Sequence, residues 1–155
     1  YPYGNETVVP FEKRFYAGGA NSVRGWSVRS LGPGGYVTNS KRKDFNQTGD
    51  IKLDLNIEYR FKLFWVLEGA AFLDAGNIWT IREYEKKKGG VFKFDEFYKQ
   101  IAFSYGLGLR FDFDFFILRC DLGAQLYDPT KKGREQWRNL EWDNMAFHLA
   151  IGYPF

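Results

Sequence analysis

The sequence predicts an all-β fold, and within that class an antiparallel transmembrane β-barrel of which this chain is the C-terminal part. Three observations carry the prediction. Five runs alternate apolar and polar residues with period two, the links between them alternate short and long, and aromatics gather at the ends of the apolar faces. Successive strand side chains point to opposite faces, so a period of two marks a strand with one apolar face.

The first run is the clearest. Ile51, Leu53, Leu55, Ile57, Tyr59 and Phe61 share one face, and Lys52, Asp54, Asn56, Glu58 and Arg60 the other. A tight connection near 62–64 leads to a second run. Trp65, Leu67, Gly69, Ala71, Leu73 and Ala75 share its apolar face, opposite Glu68, Ala70, Phe72, Asp74 and Gly76. The third run, Ile101 to Phe113, sets Phe103, Tyr105, Leu107, Leu109 and Phe111 against Ser104, Arg110 and Asp112. A turn at Asp114 and Phe115 flips the phase. Phe116, Leu118, Cys120, Leu122 and Leu126 then oppose Arg119, Asp121 and Gln125. The fifth run, Ala146 to Phe155, aligns Phe147, Leu149, Ile151, Tyr153 and Phe155.

The links near 80–100 and 128–145 are long and polar, the first with Lys86, Lys87 and Lys88, the second with Lys131 and Lys132. Short turns on one side and long loops on the other mark outer-membrane barrels. Apolar faces of ~5–7 residues fit the ~9–11-residue strands that cross a bilayer. Tyr59, Phe61, Trp65, Trp79, Phe111, Phe113, Tyr153 and Phe155 read as interfacial aromatics. Periodicity leaves open which face is inside; a soluble ligand-binding barrel would turn the apolar face inward. Five strands do not close a barrel, since single-chain bacterial barrels start at ~8. Unpaired edges in lipid are costly, so further strands are expected upstream in a longer chain.

Composition excludes several classes. No stretch reaches the ~18 apolar residues of a spanning helix. The net charge of +3 is spread among both signs, which disfavours a nucleic-acid surface. One cysteine, Cys120, and one histidine, His148, argue against a disulfide or a transition-metal site. Glu68 and Asp74 form no tuned acid–base pair, and His148 has no nucleophile beside it, so neither catalysis nor a cofactor is expected.

Residues 1–50 read as a long loop with ordered turns, rich in glycine, and Gly18, Gly19 and Gly25 suit positive φ or close backbone approach. On composition alone Arg24 is a surface arginine beside a turn glycine. However, the stretch Phe15-Tyr16-Ala17-Gly18-Gly19-Ala20-Asn21-Ser22-Val23-Arg24-Gly25-Trp26 resembles the long-loop signature of the BamA/TamA outer-membrane assembly superfamily. Phe72-Leu73-Asp74-Ala75-Gly76 resembles its Phe-x-Asp-x-Gly strand motif. Phe147 to Phe155 resembles its final strand, with Gly152 and a terminal aromatic. Gly-Ala-Asn-Ser-Val-Arg-Gly-Trp is most similar to the TamA-like lipoprotein branch, TamL.

The resemblance implies about sixteen strands behind periplasmic POTRA domains, with residues 1–50 as an inward-folding loop and 51–155 as the last five strands. It implies that Arg24, within Val23-Arg24-Gly25-Trp26, pairs inside the barrel with Asp74 and Glu58. It also implies a lateral gate at the last strand, involving Phe147, Gly152 and Phe155. Gly152 would weaken or kink that strand and Pro154 would remove a donor. The implied partners are outer-membrane lipids, client outer-membrane proteins, and periplasmic or lipoprotein partners met through the POTRA domains. The rivals are a two-partner-type secretion pore and a passive porin.

Overall fold

A computed structural model describes residue 10 and residues 13–37, 47–83 and 89–152. Lys86 to Lys88 in the first long link, and Tyr153, Pro154 and Phe155 at the end, lie outside the described residues. Five strands form one antiparallel sheet in chain order: β1 (Ile51–Phe64), β2 (Leu67–Trp79), β3 (Ala102–Asp112), β4 (Ile117–Tyr127) and β5 (Met145–Ile151). The fold is therefore all-β, a meander whose long links carry, among the described residues, short 3-10 turns.

The two faces differ sharply. Leu55, Ile57, Tyr59, Leu73, Leu107, Phe147, Leu149 and Ile151 on the apolar face are exposed, whereas Asp74, Ser104, Arg110, Arg119, Asp121 and His148 on the polar face are buried. Residues 13–37 cover the polar face. Their small core of Ala17, Val23, Trp26 and Leu31 packs on Ile78 of β2, with Ala102 of β3 in the same cluster. A water-soluble sheet would do the reverse, because burying apolar area is what stabilises it. The soluble-barrel alternative does not describe this arrangement.

The first short link differs in place from the sequence reading, and the second falls where it was expected. β1 continues through Phe64, and the first turn falls at Trp65–Val66, with Trp65 fully exposed at φ 41°. Lys62, Leu63 and Phe64 are all extended and exposed, so nothing in their residue types ends the strand earlier. The second turn spans 113–116, where Asp114 has φ 66° and its N–H donates to Asp112 Oδ1 at 3.1 Å.

Trp79 departs from its predicted interfacial role. It is 1% exposed, covered edge-on by Phe92 and Phe97 of the β2–β3 link, and its indole N–H donates to Gln100 Oε1 at 2.7 Å. Alternation lapses at the end of β2, where Asn77, Ile78 and Trp79 are all buried. The two loops meet there: Asn77 Nδ2 donates to Gly34 O at 3.0 Å and to Gln100 O at 2.5 Å. Among the described residues the last strand runs from Met145 to Ile151. Gly152, at φ 92°, lies beyond it, and its N–H donates to Ile117 O at 2.8 Å.

Candidate functional site

The covered face holds a buried ion network built around the tip of the loop. Gly18 and Gly19 enter that tip at φ 93° and 101°, a region open to glycine and costly for other residues. Gly19 N–H then donates to Trp26 O at 2.9 Å, and Trp26 N–H to Val23 O at 3.2 Å. This closes a compact turn that directs Arg24 at the sheet.

Arg24 is fully buried. Its Nε and Nη2 donate to the two oxygens of Asp74 at 2.9 and 2.8 Å, a bidentate pairing, and its backbone N–H adds a 3.0 Å bond to Asp74 Oδ2. Nη1 donates to Glu58 Oε2 at 2.5 Å. The guanidinium carbon stands 3.5 Å from the centroid of the Phe72 ring, a cation–π contact. Burial alone would lower the pKa of Arg24. The hydrogen bonds and charge of Asp74, then of Glu58, outweigh it and hold the group above its ordinary range. The arrangement matches the rule that a buried charge persists only when paired and hydrogen-bonded.

The residues singled out in the sequence thus fall in two places. Val23, Arg24, Gly25, Trp26, Glu58, Phe72, Asp74 and Gly76 come together. Gly76 pairs with Asp54 and faces a Val23 methyl, and Gly25 sits against Ser104, each too close for a side chain of its own. Phe147 and Gly152 lie apart from this cluster, Phe147 on the bare face and Gly152 past the end of β5. Phe155 lies outside the described residues.

Other participants were not singled out. Arg110 donates to Glu58 Oε2 at 3.0 Å and to Asp121 Oδ1 at 2.5 Å. Arg119 Nε stands 3.1 Å from Asp121 Oδ2, and its Nη2 donates to Ala20 O at 2.9 Å and Asn21 Oδ1 at 2.6 Å. Asn56 donates to Ser22 O and to Asp74 Oδ1, both at 2.9 Å. Gln125 donates to Gly25 O at 3.1 Å, and His148 Nε2 meets Arg24 O at 3.0 Å. Barrel side chains thus capture main-chain oxygens at four tip positions. A sequence signal existed for the charged members: Arg110, Arg119 and Asp121 all occupy the polar face of their runs. Arg110 and Arg119 stand directly opposite each other on β3 and β4, a pairing that demands nearby carboxylates.

Comparison with known proteins follows the same lines. The family model described as the Omp85 superfamily domain matches residues 1–155. The outer membrane protein assembly factor BamA of Neisseria meningitidis serogroup B is 30% identical over 88 residues, covering 54% of this chain. The matched segment amounts to 11% of that relative's length.

Proposed function

Since the chain belongs to the Omp85 superfamily, we propose that it is the C-terminal part of an outer-membrane assembly or translocation factor. Such a protein inserts β-barrel or other outer-membrane proteins through a lateral gate beside its last strand. The loop carrying Arg24 braces the interior. Lipid covers the bare apolar face, the long links lie outside the cell, and the chain end lies in the periplasm. Clients add to an open strand edge, which satisfies their backbone groups. Upstream strands complete the barrel, and POTRA domains ahead of them meet periplasmic or lipoprotein partners. Among the branches of the family, the loop wording favours the TamL-like one. The role needs no catalytic residue, metal or cofactor.

The observation that carries this reading is the fully buried Arg24, clasped by Asp74 and Glu58 beneath a sheet whose apolar face is bare. The function in the Neisseria relative's name, outer membrane protein assembly, supports the same reading.

The test is complementation of a depletion strain by the full-length protein. Arg24→Ala strands two carboxylates, at a cost of about 3 kcal/mol, or roughly a hundredfold in the ratio of seated to released loop. Barrel-protein levels should fall, and protease should cut the loop faster. Arg24→Lys, which keeps the charge without the bidentate fork, should rescue only partly. Normal assembly with unchanged protease resistance would refute the reading. Loss of one exported protein with normal barrel levels would instead indicate a secretion pore. Steady conductance independent of Arg24 would indicate a passive porin.

A further inference from the structure

Among the described residues β5 is the shortest of the five strands, and its strand partner there is β4. Its inward positions are Ala146, His148 and Ala150, so His148 is the one inward side chain longer than a methyl group. The outward residues Phe147, Leu149 and Ile151 are 67, 63 and 75% exposed and contact little of the protein. His148 is buried and reaches the loop tip, with Nε2 3.0 Å from Arg24 O. The same carbonyl rests over Gly123, where a side chain of any kind would collide with it. Gly123 pairs with Ala146, and Asp121 with His148. The Arg24 backbone therefore links β2 to β5 across the sheet: its N–H donates to Asp74 on β2, and its carbonyl accepts from His148 on β5.

We propose that His148 is a positioning residue that couples the seating of the Arg24 loop to the order of the terminal strand. A seated tip presents its carbonyl to the imidazole N–H and restrains β5. A released tip removes that acceptor and leaves β5 held by strand pairing alone. The strand then frays more readily at the edge where the proposed function places a gate. The inference deepens that reading but rests on it only for its consequence, since the coupling itself is a property of the loop and the strand.

The experiment is hydrogen–deuterium exchange on the full-length protein in lipid nanodiscs, with folding of each variant checked by heat-modifiable gel mobility. Losing one such hydrogen bond should speed exchange of the 145–151 amides about fivefold. His148→Phe should do this, and His148→Gln, which keeps a donor, should largely restore protection. Arg24→Ala should speed the same amides, and adding His148→Phe to it should bring no further increase. Unchanged exchange in His148→Phe, fully multiplicative effects in the double variant, or equal loosening of β3 and β4 would each overturn the coupling. If His148→Phe does not fold, the Arg24→Ala arm decides: 145–151 must exchange faster than 117–123. Coupling without an assembly defect in either variant would refute the proposed function and leave this inference standing. An assembly defect without coupling would do the opposite.

Discussion

Arg24 carries three bonds to Asp74 and one to Glu58, yet it does not stand alone in charge. Arg110 and Arg119 oppose each other across β3 and β4, and Asp121 lies between them and Arg24. Asp121→Asn should therefore leave two buried guanidiniums poorly balanced. The expected loss is about 3 kcal/mol, read as a lower midpoint for loss of heat-modifiable mobility. Arg24, Asp74 and Glu58 were legible because a motif resemblance named them. Asp121 was legible only as a member of a polar face, since which of several inward charges meet depends on register across three strands. Asn56, Gln125 and His148 were harder still. They bind main-chain oxygens, and a sequence does not display which carbonyls a folded loop leaves bare.

At the scale of elements, the alternating faces could be read almost residue by residue from Ile51 to Phe61 and from Ala102 to Asp112. The limits came where tertiary contact overrides alternation. Trp79 has the residue type and position of an interfacial aromatic but is buried where the link that follows it folds back over its ring. Gly152, at the end of the described part of the last apolar run, holds a positive φ of 92° that alternation does not foretell. The second tight turn offers a clean test. Asp114 holds φ 66°, which a β-branched residue resists by roughly 1–2 kcal/mol. Asp114→Val should destabilise the β3–β4 hairpin by about that amount, and Asp114→Gly should be neutral or slightly stabilising. Gel-shift midpoints of the two variants check the difference.

For the molecule as a whole, the distribution is that of a water-soluble sheet turned inside out: greasy side chains bare, ionised ones sealed beneath a loop. Surface ion pairs are screened by salt, but pairs this deep are screened little. Raising salt from 0.1 to 1 M should change loop proteolysis less than about twofold, whereas a loop held by exposed charges would release. The buried set also has an electrical consequence. The six fully buried members, three guanidiniums and three carboxylates, sum to zero, and Arg60, part-exposed on Glu58, adds one positive charge to the network. Asp121→Asn would unbalance that sum by one positive charge. In a planar bilayer under a salt gradient, the reversal potential of the variant should move toward that of chloride.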